Sequence, residues 1–243
     1  MRTSPTQLLL CGAFILSMGT PAQDVVRMPL IGDKAPSFTA QTTQGVLNFP
    51  EDQLGKWKIL FSHPADFTSV CSSEIFELSL MQDEFQKLNT AIYVLSTDGL
   101  NSHIQWVKSI EELRYKDRSS EPIRFPLIAD DRMEISTKYG MIHPSANSKE
   151  TIRAVFIIDP ESIIRMIAYY PSSVGRNLEE IRRTLIALQL QERYDVLTPA
   201  NWAPGQDVMI HSPASLEESK KLKAKKGDNL YSLNWFMWFR RLD

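Results

Sequence analysis

Short apolar runs alternate with stretches of helical periodicity along the middle of the chain, and this alternation most constrains the fold. Residues 57–62 form a compact apolar run that ends just before Pro64. Apolar residues then recur at helical spacing from Ile75 to Leu88, which predicts a helix that begins at residues 68–71. Further elements follow in the same alternation: a strand at 91–96, a helix around 104–110, a strand at 126–129 and a short helix at 133–139. The order β-α-β-α-β-α predicts an α/β protein.

The pattern changes after residue 150. Residues 154–158 and 163–170 are rich in β-branched and aromatic residues and flank the turn sequence Asp159-Pro160-Glu161-Ser162, which predicts an antiparallel hairpin. Asn177 and Glu180 have capping-box spacing at the start of a final helix. These units together predict a central mixed sheet flanked by helices, an arrangement compatible with a thioredoxin-like fold. A short hairpin around Gln44-Gly45 is expected before the first of these strands.

The two ends of the chain differ from this core. A short basic start precedes an apolar run over residues 8–18, and small residues end at Ala22, so residues 1–22 are predicted to be a cleavable signal peptide. The apolar run is shorter than the about 20 residues that a membrane-spanning helix needs. We therefore expect a core domain over 23–193, a C-terminal extension over 194–243, and export to the periplasm or the cell exterior. Without a signal, the protein would be cytoplasmic.

The composition argues against several kinds of partner. A formal net charge of −2 gives no basic surface for nucleic acid or for an anionic membrane. The four histidines are scattered without the spacing of metal ligands, and no haem or flavin motif is present. We expect no metal and no cofactor, so the chemistry must come from side chains.

The cysteines are the strongest chemical clue. The chain has two, and Cys11 lies in the predicted signal peptide, so an exported protein would keep Cys71 alone and form no internal disulfide. Cys71 stands at the predicted start of a helix, where free backbone N–H groups and the helix dipole favour the thiolate. A lone cysteine is more commonly a small buried apolar residue, so its neighbours must decide between the two interpretations.

The segment Pro64-Ala65-Asp66-Phe67-Thr68-Ser69-Val70-Cys71 resembles the P-x-x-x-T/S-x-x-C signature of the peroxiredoxin family (AhpC/TSA type). The flanking residues His63 and Ser72-Ser73-Glu74 are most similar to the one-cysteine peroxiredoxin subgroup. The resemblance runs from Gly32-Asp33-Lys34-Ala35-Pro36 to Thr198-Pro199-Ala200-Asn201-Trp202. It implies a thiol-dependent peroxidase that reduces hydrogen peroxide and organic hydroperoxides.

The resemblance also implies catalytic roles. Cys71 would attack one peroxide oxygen and become a sulfenic acid. Thr68 would hydrogen-bond the thiolate and the incoming peroxide, and Pro64 would shield the pocket from water. Arg153 would stabilise the thiolate and polarise the O–O bond, although an arginine beside a strand is more commonly a solvated surface residue.

Three further residues are assigned supporting roles by the same resemblance. Glu74 would orient Arg153, a second arginine at Arg176 would lie near the pocket, and His63 would line it. Each has a simpler interpretation: Glu74 is favourable in any first helical turn, Arg176 suits a loop, and His63 suits a buried structural position.

The resemblance leaves the reductant and one alternative function open. Because no second cysteine would remain, the reductant must be an external thiol: glutathione, a thioredoxin-like protein or another small thiol. The Cys-x-x-Cys motif of a disulfide oxidoreductase is absent, because Ser72, Ser73 and Glu74 follow Cys71. The alternative is a redox sensor or holdase chaperone, in which oxidation of Cys71 changes assembly without sustained turnover.

Assembly is expected to involve the C-terminal extension, which resembles an arm that packs across a partner subunit in a homodimer or larger ring. Four aromatic residues are candidates for that interface: Trp235, Phe236, Trp238 and Phe239. The lysine run at 220–226 predicts a solvated helix face. Lys56 stands where some one-cysteine members carry a phospholipase serine, so we expect no lipase activity.

Overall fold

The computed structural model describes residues 28–147, 149–225, 227 and 229–242. The predicted signal peptide and Cys11 lie outside the described residues. Along the described ranges, no helix combines the length and the apolar character needed to cross a membrane.

Strands and helices alternate much as the sequence predicts. The strands are β1 Phe38–Thr42, β2 Gly45–Phe49, β3 Trp57–Ser62, β4 Thr90–Ser96, β5 Arg114–Tyr115, β6 Arg118–Ser119, β7 Leu127–Ala129, β8 Arg153–Ile158, β9 Ile164–Tyr170, β10 Val208–Met209, β11 Leu230–Ser232 and β12 Trp238–Arg240. The helices are α1 Ser69–Lys87, α2 Leu100–Glu111, α3 Glu134–Lys138, α4 Leu178–Tyr194 and α5 Leu216–Lys225, and a short 3-10 turn covers Glu51–Gln53.

Seven of the described strands form one mixed sheet in the order β2-β1-β7-β4-β3-β8-β9. β4 runs parallel to β3 and β7, whereas β1 pairs antiparallel with β2 and β7, and β8 with β3 and β9. This arrangement confirms the predicted central mixed sheet flanked by helices. It also places the C-terminal end of β3 beside the start of β8, where the candidate site lies.

The sheet separates two apolar cores. Successive strand residues point to opposite faces, so Ile59 and Phe61 of β3 pack with side chains of α1, α2 and α4, while Leu60 packs on the other face. Every residue of β3 is buried. Burial on both faces explains why β3 appears in the sequence as a continuous apolar run and not as an alternating pattern.

The helix caps agree only in part with prediction. At α4, Asn177 Oδ1 accepts a hydrogen bond from the Glu180 amide at 3.2 Å, as the capping-box spacing predicts. The second bond of a capping box, from the Asn177 amide to the Glu180 side chain, is replaced, because the Glu180 carboxylate pairs with Arg183. At α1, Thr68 occupies the N-cap position but makes no side-chain cap bond; its hydroxyl donates instead to the Ala65 carbonyl at 2.9 Å.

Two small sheets go beyond the predicted elements. β5 and β6 form a two-stranded ribbon after α2, and β10, β12 and β11 form a sheet in the C-terminal extension. Trp238 is fully buried there and Phe239 stacks on Tyr231 at 5.2 Å, so the chain itself packs these two predicted interface aromatics. Trp235 and Phe236 remain 39% and 41% exposed.

The extension is anchored to the core domain through α4. Val196, Trp202 and Val208 form a third apolar cluster against partly buried side chains of that helix. Farther along, α5 presents its lysines at positions 220, 221 and 223 to solvent, which confirms the predicted solvated helix face.

Candidate active site

The site forms where β3 gives way to α1. β3 ends at Ser62, and the loop 63–68 leads directly into the first turn of the helix, which places Cys71 as its third residue. Phe67 has a φ of 55°, a left-handed conformation uncommon for a bulky residue, and it turns the chain into α1. Cys71 Sγ therefore lies near the helix N-terminus, while the side chain is 0% exposed.

Arg153 contacts the thiol directly. Its Nη1 lies 3.2 Å from Cys71 Sγ, and the residue is only 2% exposed. Nε and Nη2 both donate to the Ser172 carbonyl, at 3.0 and 2.8 Å, so the planar guanidinium is held in a fixed orientation. A buried cation at this distance stabilises the negative charge of a thiolate.

Glu74 holds two arginines in place. Its Oε2 accepts from Arg153 Nη1 at 2.8 Å and from Arg176 Nη2 at 2.8 Å, and its Oε1 accepts from the Arg176 backbone amide at 2.7 Å and Nε at 3.0 Å. Burial raises the pKa of Glu74, but the charge and hydrogen bonds of Arg176, together with Arg153, outweigh it and hold that pKa below its ordinary value. Glu74 is therefore a carboxylate.

Arg176 forms the layer behind Arg153. Its Nη1 donates to the carbonyls of Ser62 and Ala154, both at 2.8 Å, and its guanidinium lies over the Phe61 ring at 5.0 Å. With two guanidinium groups and one carboxylate, the buried cluster carries one excess positive charge. A negative charge on Cys71 Sγ would neutralise that excess.

The remaining predicted site residues differ in burial and in hydrogen bonding. Pro64 is buried in the loop, and Thr68 is exposed, with its hydroxyl donating to Ala65 and not toward the thiol. His63 is fully buried beneath the loop, where its Nε2 lies 3.0 Å from Asp66 Oδ1. Desolvation lowers the pKa of His63, so the ring is neutral.

Sequence reasoning missed several groups around the site. Ser172 holds Arg153 in place through its backbone carbonyl. Because every residue has such a carbonyl, the identity of residue 172 does not reveal this contact. Trp106 donates from Nε1 to Ser72 Oγ at 3.2 Å, bracing the first turn of α1. Asp66 and His103 form a buried contact across 37 residues; Asp66 was visible inside the motif, but nothing in the sequence signalled its partner.

A metal was not expected, and the geometry gives one group to consider. Within the described residues, donor atoms of His63, Asp66 and Asp98 lie within 4.8 Å of one another. The oxygen atoms that would have to bind an ion are already used in hydrogen bonds. The Asp66 carboxylate accepts from two histidines, and Asp98 Oδ2 accepts from the Asp66 amide and Ser96 Oγ. We therefore assign no ion to this group.

An apolar cleft of about 400 Å³ opens beside the first turn of α1. Val70, Phe76, Leu113 and Tyr115 contribute its apolar walls, so the ribbon β5–β6 and the helix that carries Cys71 share it. Cys71 itself is not among the residues that line the cleft.

Known proteins with similar sequences support one family. Residues 31–167 match the AhpC/TSA family, and residues 187–225 match the C-terminal domain of 1-Cys peroxiredoxin. A peroxiredoxin of Methanosarcina mazei is 52% identical over 215 residues, covering 88% of this chain and 98% of that protein. A peroxiredoxin of Thermotoga maritima is 44% identical over 220 residues, covering 89% and 99%.

Two solved structures resemble the whole described fold. A yeast mitochondrial 1-Cys peroxiredoxin, described in terms of thiol resolution by the glutathione and thioredoxin systems, has a TM-score of 0.77 and 37% identity and covers 88% of this chain and 100% of its own. A mutant of peroxiredoxin 6 from Arenicola marina has a TM-score of 0.77 and 31% identity, covering 88% and 99%. These likenesses confirm the predicted thioredoxin-like fold.

Proposed function

This chain belongs to the AhpC/TSA family of peroxiredoxins and is a thiol-dependent peroxidase, and we propose that Cys71 is its peroxide-reacting residue. The observation that carries the assignment is the 3.2 Å contact between Arg153 Nη1 and Cys71 Sγ within a buried cluster of net positive charge. That contact favours the thiolate, which is the form that attacks a peroxide.

The reaction follows from these groups. The Cys71 thiolate attacks one peroxide oxygen and forms an S–O bond, while the O–O bond breaks and its electron pair leaves with the other oxygen. That oxygen takes a proton and departs as water or an alcohol. Arg153 stabilises charge as it moves from sulfur to the leaving oxygen. The roles proposed for Thr68 and Pro64, both in the loop 63–68, are to bind the peroxide and to shield it from water.

An external thiol completes the cycle. Cys71 is the one cysteine in the described part of the chain, so its sulfenic acid has no partner thiol there. A first thiol condenses with the sulfenic acid, forming a mixed disulfide and releasing water, and a second thiol displaces Cys71 as the reduced thiol. The yeast relative's link to the glutathione and thioredoxin systems supports glutathione or a thioredoxin-like protein as the reductant.

A trapping experiment tests this role of Cys71. The reduced protein is treated with one equivalent of hydrogen peroxide in the presence of dimedone, which reacts with sulfenic acids, and the adduct is mapped by peptide mass spectrometry. The adduct is expected on the peptide that contains Cys71. An unmodified Cys71 together with consumption of the peroxide would contradict the assignment.

A homodimer is the proposed assembly, and β9 supplies its physical basis. β9 ends the sheet, and its residues 165–170 are only partly buried, with Ile167 and Tyr169 packed on one core and Met166 and Ala168 on the other. An edge strand of this kind exposes free backbone groups that a second copy can pair. The exposed Trp235 and Phe236 offer further apolar contact area for the arm.

Hydrogen exchange at different dilutions tests the dimer. Amides of β9 should become less protected as the protein is diluted below its dimerisation constant, whereas amides of β2, the other edge of the same sheet, should not change. Sedimentation velocity should show the matching loss of mass. A monomer at all concentrations, or equal changes at both edges, would contradict pairing through β9.

Export is proposed from the first 22 residues alone. Cleavage after Ala22 would release a protein that begins at Gln23. N-terminal sequencing of the protein purified from its native cells tests this: Gln23 supports export to the periplasm or exterior, and Met1 would place the protein in the cytoplasm.

A further inference from the structure

Behind the peroxide-binding loop, Asp66 lies between two fully buried histidines. His63 Nε2 lies 3.0 Å from Asp66 Oδ1, and His103 Nδ1 lies 2.9 Å from Asp66 Oδ2. The backbone amide of Asp66 donates to Asp98 Oδ2 at 2.8 Å. The side chains of all three members of the His63–Asp66–His103 group are 1% exposed or less.

Hydrogen-bond geometry shows which atoms each ring nitrogen of this group faces. His103 Nε2 lies 3.1 Å from the Ile128 carbonyl, which can only accept, so this nitrogen carries a proton. Its Nδ1 faces the Asp66 carboxyl group. Burial alone raises the pKa of Asp66, but hydrogen bonds from His103 and His63 hold that pKa well below its ordinary value. Asp66 is thus a carboxylate, and both ring nitrogens of His103 face oxygen atoms that accept hydrogen bonds.

The second histidine differs in this respect. His63 places one nitrogen on Asp66, while its Nδ1 has no hydrogen-bond partner among the described residues. Besides desolvation, the positive charge of Arg176 also lowers the pKa of His63. Asp66 therefore lies between the two rings, and His103 in turn lies between Asp66 and the Ile128 carbonyl.

We propose that Asp66 and His103 form a buried ion pair which, assisted by His63, positions the loop that carries Pro64 and Thr68. The proposal rests on the proposed role of Cys71. Asp66 is two residues from both Pro64 and Thr68, and its side chain ties the loop to α2, which carries His103. His103 in turn is tied to β7 through the Ile128 carbonyl.

The loop needs such a tether. Phe67 is held at a φ of 55° and its side chain is exposed, so this residue gains little from packing in an unfavourable backbone conformation. The hydrogen bonds of Asp66 on one side of Phe67 and helix α1 on the other fix that turn. The His63 carbonyl is held as well, since it accepts from Thr151 Oγ1 at 2.6 Å.

Nitrogen-15 NMR of the wild-type protein tests the charge assignment without reference to activity. Two-bond proton–nitrogen spectra distinguish an imidazolium from each neutral tautomer, and histidine-to-asparagine variants assign the signals. At neutral pH, His103 should show two protonated nitrogens and His63 a neutral ring protonated at Nε2. A neutral ring at His103 would overturn the ion pair.

Kinetics of an Asp66 series test the positioning role. Asp66→Ala removes the tether and should slow the reaction of Cys71 with hydrogen peroxide by about tenfold to a hundredfold. Alkylation of the same thiol by iodoacetamide, which needs the thiolate but no peroxide alignment, should change by less than about twofold. Asp66→Asn should recover most of the peroxide rate, since an amide can bond both rings once His103 is neutral.

The outcomes separate this proposal from the proposed function. If wild-type Cys71 does not react with peroxide, the function fails before any variant is made. If the wild type reacts but Asp66→Ala is unchanged, or loses peroxide and iodoacetamide reactivity in parallel, the positioning role fails. Asp195→Ala is the matched control, because Asp195 forms an exposed His–Asp pair with His211; its peroxide rate should equal that of the wild type.

Discussion

Arg153 Nη1 lies 3.2 Å from Cys71 Sγ. The same nitrogen lies 2.8 Å from Glu74 Oε2, so one N–H group of a buried guanidinium is placed between the thiol and a carboxylate. Glu74 and the Ser172 carbonyl fix the direction of the guanidinium. Arg153 is thus preorganised to stabilise negative charge at Cys71 before the peroxide arrives.

Arg153→Ala should slow the reaction of Cys71 with hydrogen peroxide by about a hundredfold or more, because one preorganised donor is typically worth about 2.7 to 4 kcal/mol in a transition state. Stopped-flow measurement of the second-order rate constant checks this. Arg153→Lys keeps the positive charge but lacks the planar set of N–H donors, so its rate constant should lie between those of the wild type and Arg153→Ala. A near-normal rate in the alanine variant would refute the role.

Glu74→Gln should lower the free energy of unfolding by roughly 3 to 5 kcal/mol, because it leaves two buried guanidinium groups without their carboxylate. Urea unfolding of the reduced protein measures the change. Glu180→Gln is the matched control: Glu180 also pairs with an arginine, but at the surface, where such a pair contributes about 0 to 1 kcal/mol. Equal losses in the two variants would contradict the account.

The comparison of the wild type with Glu74→Gln also gives a prediction for the pH dependence of stability. The pKa of Glu74 is lowered in the folded state from its ordinary value of 4.5, so its stabilising contribution is fully present above 4.5 and is lost as the pH falls through the lower folded value. The difference in unfolding free energy between wild type and Glu74→Gln should therefore be constant near neutrality and shrink in acid. A difference that grows in acid would reverse the assigned sign.

Lys58 should impose the opposite kind of pH dependence at the alkaline end. It is fully buried in β3, where its Nζ donates to the carbonyls of Lys56 and Asp159, at 2.9 and 3.3 Å. Burial lowers its pKa from the ordinary value of 10.5. Between the folded value and 10.5 the unfolded chain binds more protons, so the free energy of unfolding should rise with pH.

Chemical denaturation of Lys58→Met over the same alkaline range checks this. The variant should lack the rise, and it should be about as stable as the wild type at neutral pH, since the buried ammonium is replaced by an apolar chain of similar length. Lys56→Met, at an exposed neighbouring position, should keep the wild-type rise. An identical pH dependence in all three proteins would contradict the assignment to Lys58.

The fold was predictable where burial leaves a periodic trace. β3 and β8 are buried at every residue and appear as largely apolar runs, and the spacing from Ile75 to Leu88 marks the buried face of α1. The ribbon β5–β6 was missed because its four residues are all exposed and carry no apolar alternation. The C-terminal sheet was missed because its strands are only two or three residues long.

The site was predictable only through the family motif. Spacing alone gave Cys71 a helix N-terminus, but nothing local connects it to Arg153, which lies 82 residues farther along and is brought close by the pairing of β3 with β8. The Asp66–His103 contact likewise joins residues that are far apart in the sequence. Such contacts depend on sheet order and helix packing, which single-sequence periodicity does not encode.

The most direct test of the central claim is steady-state peroxide consumption by residues 23–243, with dithiothreitol as reductant, comparing wild type with Cys71→Ser. The account predicts many peroxide equivalents consumed per wild-type chain and none above background in the variant. One equivalent consumed without turnover would instead favour a redox sensor, and equal consumption by both proteins would contradict the assignment of Cys71.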